Sequence, residues 1–179
     1  MSAPYVDDLR KTFERLIDAA ELDDRQRDFL KLRWLEQLSW METKAGKAQR
    51  FYYRLRLITI VGAVVVPALV ALNSLDGWAG NAAQIGTWIV SLVVAVSAAV
   101  EGFFQFGQRW RNFRATAERL KTEGWLYLEG AGPYAAAGSQ ADVFPTFASR
   151  VEELIQKDVA VYITEVATEK QRPAGSSST

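Results

Sequence analysis

Apolar residues recur every three or four positions along most of this chain, and in two places they run on for five turns or more, with no charge in the first run and Glu101 alone in the second. Val6, Leu9, Phe13, Leu16 and Ala20 predict a first helix, started by Ser2 and Pro4. Leu30, Trp34, Leu38, Met41, Ala45, Ala48 and Tyr52 predict a second, with Asp23 or Asp24 as its cap and no breaker at its end. A third follows Trp110, Phe113, Ala117, Leu120, Gly124 and Tyr127 before GAGPYAAAGSQAD breaks the pattern. Pro145 suits the first turn of a last helix that buries Phe147, Val151, Ile155, Val159, Tyr162 and Val166. Each stripe is apolar on one side and charged on the other, which predicts a four-helix bundle.

The long apolar runs have a different meaning. LITIVGAVVVPALVALNSL, Leu57–Leu75, would span about 28 Å as a helix, close to the ~30 Å hydrocarbon core of a bilayer. IGTWIVSLVVAVSAAVEGFF, Ile85–Phe104, matches it, and the linker DGWAGNAAQ is long enough only for a tight turn. The expected fold is therefore an all-α membrane protein, a two-helix transmembrane hairpin continued into a cytoplasmic helical bundle and assembled as an oligomer. Its expected parts are cytoplasmic helices at 1–56, a first span at 57–75, an outer loop at 76–84, a second span at 85–104, bundle helices at 105–170 and a disordered tail at 171–179.

Charge orients the hairpin. Lys44, Lys47, Arg50, Arg54 and Arg56 precede the first run, Arg109, Arg111, Arg114, Arg119 and Lys121 follow the second, and the loop between has no Lys or Arg. By the positive-inside rule both termini face the cytoplasm of a bacterial inner membrane. Phe51, Tyr52 and Tyr53 with Phe103, Phe104, Phe106 and Trp110 would form one interfacial belt, and Trp78 and Trp88 the other. The N-terminal MSAPYVDDLRKTFERL lacks the apolar core of a signal peptide.

Composition narrows the chemistry. The chain has no Cys and no His, which excludes disulfides, imidazole triads and the usual zinc sites. Lys plus Arg and Asp plus Glu both total 21, so the whole-chain balance gives no sign of a nucleic-acid partner. No phosphate loop or nucleophile constellation is present, and the pairs Asp7–Asp8 and Glu152–Glu153 read as solvated faces. An enzyme, a cofactor and a metal are not expected. The expected partners are the lipid bilayer, further copies of the chain, and a cytoplasmic protein of unknown kind.

Ser97, Glu101, Gln105, Gln108 and Asn112 are spaced to share one helical face, continued by Gly86, Val90 and Val93. A charge near the middle of a membrane costs roughly 2.5–3.5 kcal/mol, so this face must meet protein or water. Two readings are open. A ring of Glu101 carboxylates around an axis would line a cation-attracting vestibule; alternatively, Glu101 pairs with Arg54 or Arg56 at the same depth of the hairpin. Ser91, Ala95 and Ala99 would allow close helix packing, against the first span or another subunit, and Pro67 is a candidate hinge beside Gly62. The function that follows is a homo-oligomeric inner-membrane ion channel or pore-forming effector. The alternative is a non-conducting anchor whose bundle recruits partners.

Three stretches carry a resemblance. KLRWLEQLSWMETKAGKAQRFYYRLRLITIVGAVVVPALVALN, SAAVEGFFQFGQRWRNFRATAERLKTEGWLYLEGAGPY and FPTFASRVEELIQKDVAVYI resemble the bacterial two-span family called domain of unknown function 4231, over most of Lys31–Ile163. The run EGFF…RW…R…AE.LK.EGW is its most specific part. That family is similar to the SLATT group of proposed membrane effectors of nucleotide-signalling and conflict systems. The resemblance implies a pore-forming or channel activity and supplies no catalytic residues.

Overall fold

The structure is a computed structural model that describes residues 3–72, 77–135 and 139–171, with side chains described from 4 to 158. Every regular element among the described residues is helical. In order these are α1 (Ala3–Ala19), α2 (Asp24–Asp28), a π-helical segment (Phe29–Leu35), α3 (Glu36–Leu72), α4 (Trp78–Phe104), α5 (Phe106–Leu128), a 3-10 turn (Gly132–Tyr134) and α6 (Gln140–Gln171). The chain divides into two compact units. One comprises Met1–Thr43 with Asn112–Thr179, the other Lys44–Arg111.

In the first unit the predicted stripes close on one another. Phe13 and Ile17 of α1, Leu30, Trp34 and Leu35 of the π segment, Leu38 and Met41 of α3, Ala117, Leu120 and Tyr127 of α5, and Phe147, Val151 and Ile155 of α6 form one buried cluster. Val159, Tyr162 and Val166 of the predicted last stripe lie outside the described side chains, and the tail from 172 lies outside the described residues. Trp34 sits at the centre, wholly buried, edge-on to Phe13 at 4.9 Å and to Phe147 at 6.1 Å between ring centroids. Its Nε1 donates to the carbonyl oxygen of Leu120 at 3.0 Å. Gly124, one turn on, is what lets the indole lie flat on α5, because a Cβ there would sit 2.8 Å from Cε2 of Trp34 and overlap its outer ring.

The caps settle one open choice. Asp23 caps α2, its Oδ1 accepting from the Gln26 amide at 2.7 Å, while Gln26 Oε1 accepts from the Asp23 amide at 3.2 Å. This reciprocal pair satisfies two amides that a helix start leaves orphaned. Two boundaries differ from expectation. Pro145 lies inside α6, which starts at Gln140, where the Ser139 hydroxyl caps the Asp142 amide. In the second unit α4 begins at Trp78 with Gly77 as its cap at φ 85°, so residues 78–84 are helix rather than loop. Gly80 and Ala83 are buried there. Residues 73–76, and with them the end of the expected first span, lie outside the described residues.

Two tyrosines close the 3-10 turn onto the bundle. Tyr127 stacks on Phe147 at 4.3 Å and its hydroxyl donates to the Gln140 carbonyl at 3.1 Å. Tyr134 donates to the Glu123 carboxylate, which also takes a two-pronged contact from Arg150, Nε at 2.5 Å and Nη2 at 3.2 Å. Burial pushes the Tyr127 hydroxyl up to about 12, and Tyr134 moves the same way by burial and by its bond to Glu123. Since an unfolded tyrosine titrates near pH 10, this stability is intact below about pH 10 and is lost as pH rises through the folded value. In an alkaline series of thermal melts, Tyr127→Phe should start lower by the lost hydrogen bond and then decline less steeply than the native chain. Parallel declines would show that Tyr127 does not carry that limb.

Candidate functional site

The hairpin unit contains the candidate site residues singled out from the sequence except Asn112, which falls in the other unit. Its two long helices, α3 and α4, are long and apolar enough to cross a membrane, and little of their most apolar stretches is buried. They pack antiparallel through small residues. A Cβ at Gly62 would overlap Cγ2 of Val94, and one at Gly86 would lie 3.7 Å from Leu69 Cδ1. Gly62 thus lets the two helices approach closely, while a Cβ at Gly86 would make only ordinary contact. α3 continues through Pro67 as a helix, and Gly62 lies against Val94 of α4.

This seam takes in part of the predicted polar face. Along α4 the buried or half-buried positions include Gly80, Ala83, Thr87, Val90, Val94 and Ser97, at steps of three and four. Ser97 is only 6% exposed, and Glu101, one turn beyond it, is half-buried. Ala95 and Ala99 are exposed and Ser91 is half-buried. The outward surface of both helices is apolar, including Leu57, Ile60, Val64, Trp88, Leu92 and Val96.

The polar face is also interrupted. Gln105 adopts the left-handed conformation, φ 48° and ψ 44°, and is the one described non-glycine residue with positive φ. Its amide closes α4 on the Glu101 carbonyl at 2.8 Å, and its own carbonyl accepts from the Arg109 amide at 3.0 Å to open α5. The helical frame restarts at this residue, so Ser97 and Glu101 do not continue in phase into Gln108 and Asn112. Gln105 and Gln108 are exposed and Asn112 is half-buried, the last two with polar contacts of their own.

Glu101 has no ion pair within 4.0 Å among the described residues. Arg54 is exposed, and Arg56 lies 5.9 Å over the Tyr52 ring. Around them the aromatic residues join α3 to α5. Phe51 stacks on Phe106 at 5.3 Å and Tyr52 on Trp110 at 6.4 Å. Gly107 is the contact point, since a Cβ there would stand 2.8 Å from the Tyr52 ring. Among the described residues no three of Asp, Glu, His and Cys come together as a metal would require.

Sequence periodicity passed over a second polar cluster, in the other unit. Glu42, its side chain wholly buried, receives Arg114 Nη1 at 3.0 Å on Oε2 and Lys121 Nζ at 2.9 Å on Oε1. The ammonium approaches Oε1 as a charge rather than as an aligned donor. Arg114 and Lys121 also meet Glu118, and Lys121 lies 5.7 Å from the Tyr5 ring centroid. Burial opposes the Lys121 charge, yet its interactions with Glu42, Tyr5 and Glu118 outweigh that and hold its pKa above the ordinary value. The signal available in the sequence was Glu42 itself, a carboxylate next to Met41 in an apolar stripe.

Residues 36–142, more than half of the chain, match the model of one protein family, described as Protein of unknown function (DUF4231). No curated protein and no solved structure matches the chain.

Proposed function

The chain belongs to the DUF4231 family, and from that premise we propose that it is a two-span membrane protein that assembles from several copies into a cation-preferring channel. The observation that carries this is Glu101, half-buried at the end of an apolar hairpin and without an ion pair among the described residues. A carboxylate in that position needs water or a cation. A single hairpin encloses no water path, so the carboxylates of several copies around an axis would supply the vestibule. The proposed setting is the bacterial inner membrane with both termini cytoplasmic, as the basic flanks favour. Purified chain in planar bilayers should conduct, and Glu101→Gln should reduce the preference for cations over anions. A confirmed oligomer that leaves bilayers silent removes the channel reading.

One observation favours the second reading, a non-conducting anchor whose bundle recruits a protein partner. Ser97 is turned into the α3–α4 seam and the outward faces are apolar, which suits a hairpin surrounded by lipid. The oligomeric state in detergent separates the two. A monomer leaves only the anchor.

A further inference from the structure

Whole-chain neutrality conceals a separation of charge. The unit Lys44–Arg111 has seven Lys and Arg against two acidic residues, a net charge of +5, and the other unit has fourteen against nineteen, a net charge of −5. The positive charge of the hairpin unit is confined to two short stretches, 44–56 and 109–111, and neither contains a carboxylate. The stacked pairs Phe51–Phe106 and Tyr52–Trp110 bring these stretches side by side. Lys47, Arg50, Arg54, Arg56, Arg109 and Arg111 have no carboxylate within 4.0 Å among the described residues, and all six are exposed. Aromatic rings of the same stretches, Phe51 and Tyr53, are exposed beside them.

We propose that this basic and aromatic collar is a binding surface for anionic phospholipid headgroups. The proposal rests on the membrane reading above and goes beyond orientation, because it names the ligand chemistry. An exposed cation cluster with no internal counter-charge is complementary to phosphodiesters. The aromatic residues beside it favour the interfacial depth at which phosphodiesters lie. Arginine predominates, five of the six, and its planar fork matches two phosphate oxygens where lysine offers a point charge. The long apolar surface that adjoins the collar in the same unit is what the acyl chains of such a lipid would cover.

The test uses the full chain. Reconstitution into pure phosphatidylcholine vesicles, followed by flotation after an alkaline wash, examines membrane insertion alone; a chain washed off falls with the membrane reading itself. For the inserted protein, lipid-depleted chain in neutral detergent is titrated with short-chain phosphatidylglycerol, short-chain phosphatidylcholine, inorganic phosphate and a single-stranded oligonucleotide, with the thermal midpoint and Trp fluorescence as readouts. Phosphatidylglycerol should raise the midpoint saturably, with an effect that shrinks at high salt, while phosphatidylcholine and phosphate leave it unchanged. At roughly fivefold per charge, Arg54→Gln with Arg109→Gln should weaken apparent phosphatidylglycerol affinity about 25-fold. Arg15→Gln with Arg119→Gln removes the same charge from the other unit and should leave affinity unchanged. Equal response to phosphatidylcholine, to phosphate or to the oligonucleotide overturns the proposal, as does equal loss in the two double variants.

Discussion

Trp34→Ala should cost the bundle unit about 3–5 kcal/mol, a large share of what a domain of this size has. The indole fills the centre of the buried cluster, touches Phe13 and Phe147, and donates to the Leu120 carbonyl, so its removal leaves both a cavity and a lost hydrogen bond. The sharper result comes from its partner. Gly124→Ala in the native chain forces a methyl into a ring that its own hydrogen bond holds in place, which costs about 1–3 kcal/mol. In the Trp34→Ala background the same methyl enters the vacated space, and the gain in helix propensity of ~1 kcal/mol over glycine is realised. The sign of Gly124→Ala therefore reverses between the two backgrounds. Denaturant melts of the four chains in mild detergent, followed by far-ultraviolet circular dichroism, measure this; additive effects would mean that Gly124 and Trp34 do not meet.

The second large effect is asymmetric. Lys121→Met with Arg114→Gln leaves the wholly buried Glu42 carboxylate without its cations, and a charge stranded in this way costs about 3–5 kcal/mol. Glu42→Met should cost much less, because Arg114 and Lys121 keep Glu118 and partial access to water. Combining Glu42→Met with Lys121→Met should restore most of the lost stability, since a matched apolar pair can replace a buried ion pair at little cost. The same denaturant midpoints report it. If Glu42→Met proves as damaging as removal of both cations, the network serves packing and not charge compensation.

How far such features can be read from sequence depends on whether they follow a period. Leu30, Trp34, Leu38 and Met41 were legible because each turn of a helix contributes one core residue. Ile17 and Leu35 were missed for the same reason. A one-per-turn count passes over the second residue of a broad stripe, and the wider turn of the π segment brings Leu35 into the core beside Trp34. Residues 78–84 read as a loop because Gly80 and Asn81 look like breakers, whereas both lie inside α4, with Gly80 buried. The polar stripe failed at one position. Gln105 has no special claim on the left-handed region, in which Gly, Asn and Asp are the usual occupants, so nothing in its identity announces that the helix stops. The separation of charge was present in the sequence but invisible to a total. It appears once charges are counted by packing unit.

The break at Gln105 also acts as a ruler. A new helix starts at Phe106, and its first amides have no intrahelical acceptor. Hydrocarbon supplies none, and each amide left bare there costs several kcal/mol. In a bilayer, then, the start of α5 at Phe106 must lie at the depth of water or headgroups, whatever the hydropathy of its side chain. α4 is about 40 Å long, more than the ~30 Å of hydrocarbon it would cross. Backbone valence at one residue would thus fix the immersion depth of the hairpin, and bilayers of differing thickness would have to adjust at its Trp78 end.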